Sequence, residues 1–201
     1  MKYAILANGD TVKNYTKRES HLPKKYDTVW GLNQQATWKG IDLDKVFIMD
    51  DLKMRMPYYA GKDFVEWLKT YEKPIVTSRA YPEWPTAEAY PIEDVAKYFG
   101  LPLGVAMYST VDYMIALAIY EGAEHIDLFG VDMANPGGHM PEMRAGTALW
   151  IGAALARGIY VRSFVGSFFQ YYTNPGIALE AGLYGYALKP RIETLVNHEG
   201  V

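Results

Sequence analysis

One stretch of the chain, residues 104–133, constrains the fold more than any other. It reads GVAMYSTVDYMIALAIYEGAEHIDLFGVDM. The short apolar run at residues 105–108 predicts a strand, and residues 113–120 are apolar nearly all round, which is typical of a helix buried on more than one side. A second apolar run at residues 125–130 predicts another strand. Two strands flanking one helix of this length predict a right-handed βαβ unit of a parallel sheet.

The ends of this predicted helix carry ordinary boundary residues. Ser109 and Thr110 precede it, and their hydroxyls can accept hydrogen bonds from the first helical N–H groups. Gly122 follows the last apolar residue and predicts the helix end. Ligands of open parallel sheets bind beyond the carboxyl ends of the strands. The sequence therefore places Ser109, Thr110, Asp132 and the loop after Asp132 at the candidate functional edge.

The rest of the chain alternates strand and helix patterns, which predicts an α/β fold: single-domain, Rossmann-like, with a mostly parallel sheet and helices on both faces. Further strands are predicted at residues 2–7, 28–32, 45–49, 74–77 and 159–163, and helices at 62–71, 92–99 and 142–157. One domain is expected over residues 1–201. Residues 78–91 are too rich in proline for a central strand and predict a long aromatic loop. Residues 164–201 predict a C-terminal flap or an oligomer contact.

Composition excludes several classes of function. The formal net charge is −3, and without a long run of one sign it gives no basis for nonspecific nucleic-acid binding. The absence of cysteine excludes disulfides and thiolate metal sites. No apolar run is long enough to span a bilayer, and no leader precedes the first strand, so we expect a cytoplasmic protein. A homo-oligomer is compatible with all of this.

The first predicted strand ends in Asn8-Gly9-Asp10-Thr11, and Asn-Gly is a strong turn signal. A strand that turns at glycine into a helix can direct backbone N–H groups at a phosphate. The alternative is an ordinary strand-to-helix turn with no ligand.

Polar residues also follow the second and third predicted strands. Asn33 and Gln34 carry both donors and acceptors, which suits contacts to a base edge or a ribose hydroxyl, or they are simple turn residues. Asp50 and Asp51 follow the third strand, where carboxylates can hold Mg²⁺. The alternative for them is a capping acid with a solvated neighbour, which we favour for Asp51.

The loop after Asp132, at residues 134–141, contains His139. Histidine titrates near neutral pH and can act as a general base. A histidine alone in a loop is otherwise a solvent-exposed residue.

Four segments carry a resemblance to a known superfamily: residues 6–12 (LANGDTV), residues 31–34 (GLNQ), Ser109-Thr110 with the alanine-rich helix after them, and residues 126–132 (IDLFGVD). The superfamily contains the bacterial CMP-sialic-acid-dependent sialyltransferases, archaeal-type 6-hydroxymethylpterin diphosphokinase-like proteins, and uncharacterised phage and bacterial proteins. The continuation from Arg144 through Tyr186 is more similar to the uncharacterised phage-type members than to either enzyme.

The resemblance implies a nucleotide-dependent transferase, glycosyltransferase-like and using a nucleotide-sugar donor. Its alternatives are a Mg²⁺-dependent pterin-type diphosphokinase and a catalytically inactive nucleotide-binding phage protein. Carried over by residue, the expected nucleotide contacts are Asn8, Gly9 and Thr11 around the phosphate, Asn33 and Gln34 on the nucleotide or donor, and Ser109 and Thr110 beside the base or ribose.

The candidate catalytic residues are His139, which corresponds to the sialyltransferase base by position only, and Asp132. Asp50 is the candidate metal ligand, with Mg²⁺ as the candidate cofactor. One departure from the family is Asp10, which stands where the family has proline and brings a negative charge beside the expected phosphate. Phosphate donors are expected among four tyrosines: Tyr108, Tyr113, Tyr171 and Tyr172.

Overall fold

The computed structural model describes residues 1–19, 25–133 and 140–173. Its strands are β1 (Lys2–Leu6), β2 (Thr28–Leu32), β3 (Lys45–Ile48), β4 (Ile75–Thr77), β5 (Ala87–Ala89), β6 (His125–Phe129) and β7 (Tyr160–Arg162). They form one parallel sheet in the order β5-β4-β3-β2-β1-β6-β7. The expected α/β, Rossmann-like fold is confirmed.

Helices cover both faces of this sheet. They are α1 (Lys13–Glu19), α2 (Met56–Tyr59), α3 (Lys62–Trp67), α4 (Ile92–Phe99), α5 (Thr110–Tyr120), α6 (Met140–Leu155) and α7 (Gln170–Thr173). One buried cluster joins α4, α5 and α6 to the sheet, and a second joins α1, α2 and α3 to the opposite face. No helix in the described ranges is long and apolar enough to cross a membrane.

The central helix α5 is buried on nearly all sides, as its sequence predicts. Met114, Ile115 and Ala118 are fully buried because α6 packs on one side of α5 and the sheet on the other. Ser109 caps the helix through a hydrogen bond from the Asp112 N–H to its hydroxyl.

The strand predicted at residues 105–108 is wrong. This segment forms turns, and Ala106 adopts a left-handed conformation with φ of 55°. Side chains satisfy its backbone groups: the Trp150 indole N–H donates to the Ala106 carbonyl, and the Tyr108 N–H donates to Asp112. The βαβ unit expected over residues 104–133 therefore lacks its first strand.

The loop predicted at residues 78–91 contains a strand, β5, so that prediction is also wrong in part. The strand is three residues long and lies at the edge of the sheet. Pro85 and Pro91 flank it from outside, and an edge strand with prolines beside it loses no hydrogen bond of the ladder. Of the C-terminal segment expected at 164–201, residues 174–201 lie outside the described part.

The strand order reverses at β1. Successive strands from β1 to β5 add on one side of β1, whereas β6 and β7 add on the other. The loops that leave β1 and β6 therefore diverge to opposite faces and open a crevice at the carboxyl edge, where α/β folds bind ligands.

Candidate functional site

Two adjoining cavities open at this crevice. We call the inner cavity the space of about 510 Å³ between the ends of β1 and β6, lined by Gly9, Gly130 and Asp132 among others. The outer cavity has about 580 Å³ and extends toward the end of β3, where it is lined by Asp50, Arg55 and Tyr59. Both have walls formed by Asn8, Asn33, Ser109, Thr110 and Met143. The two cavities are therefore halves of one cleft.

Most of the predicted site residues that the structure describes line this cleft. Asn8, Asn33, Ser109 and Thr110 come from three separate elements and line both cavities. Gln34 and Asp50 line the outer cavity alone, while Gly9 and Asp132 line the inner one. Thr11 lines neither cavity and is buried below the floor of the cleft.

Two glycines bring the turns after β1 and β6 into contact. A Cβ atom on Gly9 would lie 2.5 Å from both the Gly130 carbonyl oxygen and Oδ2 of Asp132. Gly130 has a φ of 70°, and a Cβ there would lie 2.1 Å from the Ala7 carbonyl oxygen. Glycine is needed at both positions because each approaches backbone atoms that cannot move aside.

Thr11 and Asp132 join these two turns. The Thr11 N–H donates to Oδ2 of Asp132 at 2.9 Å, and the Thr11 hydroxyl donates to Oδ1. The same hydroxyl accepts a hydrogen bond from the Gly130 N–H at 2.9 Å. Asp132 is 9% exposed, so its carboxylate lies in the floor of the inner cavity with both oxygens engaged.

The N–H groups expected to hold a phosphate are partly used within the protein. The Gly9 N–H donates to the Gly130 carbonyl at 2.8 Å, and the Thr11 N–H donates to Asp132. Asp10 is exposed and forms an ion pair with Lys13 at 3.3 Å. The Gly9 and Thr11 N–H groups are therefore not free for a phosphate, and the charged side chains that line the inner cavity are the carboxylates of Asp10 and Asp132.

Asp112 positions the opposite wall. Its Oδ2 accepts from the Tyr108 and Ser109 N–H groups, each at 2.8 Å, and its Oδ1 accepts from the Thr147 hydroxyl of α6 at 2.5 Å. Burial raises the pKa of Asp112 to about 6, although these hydrogen bonds oppose the rise. The carboxylate holds residues 108–110 in place against α6.

Asn33 is strained and partly unsatisfied. It has a φ of 51°, in the left-handed region that asparagine tolerates better than most residues. Its Oδ1 is buried without a hydrogen-bond partner in the described part of the chain. Both features at a residue lining the cleft fit a side chain that completes its hydrogen bonds when a ligand is bound.

Asp50 and Asp51 differ in their surroundings. Asp51 accepts from the Lys53 and Met54 N–H groups at 2.9 Å and forms an ion pair with Arg79. Among the described residues no side chain or N–H group pairs with the Asp50 carboxylate, which lines the outer cavity. No group of three metal-ligating side chains occurs in those ranges, so Mg²⁺ binding at Asp50 stays a prediction.

His139 lies outside the described residues, and so do the side chains of Tyr171 and Tyr172. Their roles stay predictions. Tyr108 and Tyr113 line the outer cavity. Sequence reasoning missed Arg55 and Tyr59. Arg55 precedes α2 and Tyr59 ends it, and this helix of four residues is too short to show a periodic pattern.

Comparison with known proteins bears on the fold. The chain matches no protein-family model and no curated protein. It does match solved structures. The sialyltransferase CstII from Campylobacter jejuni, in complex with cytidine-5'-monophosphate, is 20% identical with a TM-score of 0.53, over 87% of this chain and 84% of that one. The chain shares the fold of this sialyltransferase.

Two further sialyltransferase structures match the fold of this chain. Sialyltransferase Cst-II in complex with a trisaccharide acceptor and CMP is 18% identical with a TM-score of 0.54, and a variant in complex with CMP is 18% identical with a TM-score of 0.56. Each alignment covers 87% of this chain and 85% of the other.

Proposed function

We propose that this protein is a nucleotide-dependent transferase of the glycosyltransferase type, related to the sialyltransferases and using a nucleotide-sugar donor. The observation that carries the proposal is the cleft at the reversal of strand order. Asn8, Asn33, Ser109 and Thr110 converge there from separate elements. The same fold occurs in sialyltransferases solved with CMP bound.

The chemistry available in the cleft suits this assignment. Amide and hydroxyl side chains bind ribose hydroxyls, base edges and phosphate oxygens without a basic patch. In the transfer, an acceptor hydroxyl attacks the anomeric carbon, the bond from that carbon to the phosphate oxygen breaks, and the phosphate keeps the electron pair. A base takes the proton of the acceptor hydroxyl. We assign that base to His139, and nucleotide contacts to Asn8, Asn33, Gln34, Ser109 and Thr110.

Thr11 and Gly9 have supporting roles. The Thr11 hydroxyl accepts a hydrogen bond from the Gly130 N–H, and the absence of a side chain at Gly9 lets the turn after β1 pack closely against the turn after β6. Asp132 is proposed as a catalytic carboxylate only where a ligand displaces its hydrogen bonds to Thr11.

A thermal-shift screen of nucleotides and nucleotide sugars, with and without Mg²⁺, tests the proposal. We expect CMP-sugars to raise the unfolding temperature of the wild type and of Asn14→Ala, a control on α1 outside the cleft lining. Asn8→Ala should lose the shift and keep the unfolding temperature of the free protein. Stabilisation by ATP with Mg²⁺ alone would instead indicate a diphosphokinase, and no shift with any nucleotide would refute the proposal.

Turnover distinguishes an enzyme from a binding protein. Release of free nucleotide from the donor is measured with the wild type and with His139→Ala. We expect the variant to bind nucleotide as the wild type does and to release none. Binding without release by the wild type would identify an inactive nucleotide-binding protein.

A further inference from the structure

The outer cavity carries a charge that the proposed function leaves without a role. Arg55 lies between β3 and α2, is exposed, and lines this cavity. In the ranges that the structure describes, its guanidinium has no hydrogen-bond or ion-pair partner. An arginine presents five N–H donors in a planar fork, and these are free here to face a ligand.

Every other arginine whose side chain is described is engaged. Their partners are Asp51 for Arg79, the Met133 carbonyl for Arg144, the Ala153 carbonyl for Arg157, and Asp127 for Arg162. The nearby acids do not pair with Arg55 either. Asp51 is taken by Arg79 and by two N–H groups, and no ion pair joins Arg55 to Asp50.

The charges of the two cavities differ. The described lining of the inner cavity carries the carboxylates of Asp10 and Asp132 and no lysine or arginine. The outer cavity carries Arg55 together with the carboxylate of Asp50. An anion in the inner cavity would meet two carboxylates, with the Gly9 N–H and both Thr11 donors already used. At the Arg55 end of the outer cavity it would meet a guanidinium.

We infer that Arg55 binds an anionic group of the ligand, a phosphate or a carboxylate, at its end of the outer cavity. This deepens the proposed function and rests on it for the identity of the ligand. The uncharged nucleoside then lies in the inner cavity, and the anionic group lies in the outer cavity, where the Asp10 carboxylate does not repel it. Arginine binds both kinds of anion through two parallel N–H bonds. The exposed phenols of Tyr59 and Tyr108 line the same cavity and can donate to the remaining oxygens.

Calorimetric titration tests this site. The variant is Arg55→Met, which removes the charge and keeps the stem. The matched control is Arg157→Met, in the turn after α6, which lines neither cavity. The ligands are cytidine, CMP, and CMP linked to a sugar that carries a carboxylate. If Arg55 binds the phosphate, Arg55→Met lowers the affinity for CMP about tenfold or more and leaves the affinity for cytidine unchanged. If Arg55 binds a sugar carboxylate, the affinity for CMP is unchanged and the affinity for the acidic CMP-sugar falls by that factor.

Equal affinity of wild type and Arg55→Met for all three ligands would overturn the inference and leave the proposed function standing. The same holds if Arg157→Met weakens binding as much, since the effect would then be one of net charge. If the wild type binds no nucleotide, the proposed function fails, and the titration is repeated with inorganic pyrophosphate as the ligand. The anion site at Arg55 is supported if the wild type binds pyrophosphate about tenfold more tightly than Arg55→Met does. It is overturned if the two proteins bind pyrophosphate equally or if neither binds it.

Discussion

Thr11 and Asp132 are joined by two hydrogen bonds, although they are 121 positions apart in the chain. The Thr11 hydroxyl also accepts from the Gly130 N–H, so one side chain links the ends of β1 and β6. These are the two strands at which the strand order reverses. The floor of the cleft is therefore set by a buried polar contact at the reversal itself.

Replacement of Thr11 by valine tests this contact. The methyl group keeps the shape but leaves Oδ1 of Asp132 and the Gly130 N–H without their partner. We expect the free energy of unfolding to fall by about 2 kcal/mol, measured by urea denaturation. Thr16→Val is the control, because that hydroxyl is exposed and bonds only the Lys13 carbonyl. Equal losses in the two variants would contradict a special role for Thr11.

Asp112 gives the protein a pH-dependent stability. Burial raises its folded-state pKa to about 6, above the ordinary value of 3.8, so between these pH values the folded protein binds more protons than the unfolded chain. The contribution of Asp112 to the free energy of unfolding therefore decreases as pH rises from about 4 to about 6, and is constant above. The decrease amounts to about 3 kcal/mol at most.

Asp112→Asn and Asp112→Ala separate charge from hydrogen bonding. The asparagine oxygen can accept from the Tyr108 and Ser109 N–H groups and its amide can donate to Thr147, so this variant should lose the pH dependence and keep its stability at pH 7. Alanine leaves both N–H groups unsatisfied and should cost about 3 kcal/mol. Denaturation series at pH 4 to 8 measure both. A wild-type slope retained in the asparagine variant would assign the titration to another group.

Two glycines of α6 make a matched pair. A Cβ on Gly146 would lie 2.7 Å from Oδ2 of Asp112 and 2.8 Å from the Ala106 carbonyl oxygen, whereas a Cβ on Gly152 meets no atom within 4 Å. Gly146→Ala should destabilise the protein by about 2 kcal/mol, because α6 must move away from the turn it packs on. Gly152→Ala should stabilise it by about 0.5–1 kcal/mol through helix propensity. Thermal unfolding measures the change in stability of both variants. A change of the same sign in the two would contradict the close approach of Gly146 to Asp112 and Ala106.

Tyr26 supports a buried carboxylate on the other face of the sheet. Its hydroxyl donates to Asp127 at 2.5 Å, beside Arg162 and His125. Burial alone would raise the pKa of Asp127, but its hydrogen bonds with these three side chains outweigh burial and hold that pKa below the ordinary value.

The stability that Asp127 contributes is therefore present above the ordinary carboxyl pKa and is lost as pH falls through the lower folded-state value. Tyr26→Phe should cost about 1.5 kcal/mol at pH 7 and move acid unfolding to a higher pH. Tyr58→Phe, at an exposed phenol, should do neither. Acid titration followed by circular dichroism measures the midpoint, and an unchanged midpoint in Tyr26→Phe would refute this role.

Much of the fold could be predicted from the sequence because it depends on local patterns. The apolar runs that became β1, β2, β3 and β6 are bounded by turn residues. Helix α5 lies between Ser109, which caps its start, and Gly122, which follows its end, as capping rules require. The segments at residues 105–108 and 87–89 could not be assigned this way. The short apolar run at 105–108 is equally compatible with a strand, a turn or a buried segment, and the hydrogen bonds from Trp150 and to Asp112 fix it as turns. Residues 87–89 read Ala-Glu-Ala, which has no strand pattern, and they form a strand because they pair with β4.

The candidate site was also predictable in part: the sequence located it, but the role of each residue depended on tertiary contacts. Polar residues after each strand marked the carboxyl edge, because side chains that end parallel strands meet at one edge whatever the strand order. Their individual roles depended on partners far away in the chain. Thr11 was expected at a phosphate, but its donors turn inward to Asp132, and Asp51 turns to Arg79 while Asp50 does not.

The sequence alone therefore determined every strand of the sheet except β5, the α/β alternation and the edge at which a ligand would bind. Those properties follow from hydrophobic periodicity and capping, which act between near neighbours. Only the tertiary structure decided that the strand order reverses at β1, that Asp112 fixes the wall at Ser109, and that Arg55 faces the outer cavity without a partner. Hydrogen bonds and charges act between atoms close in space, and the distance between those atoms is set by the packing of the whole chain.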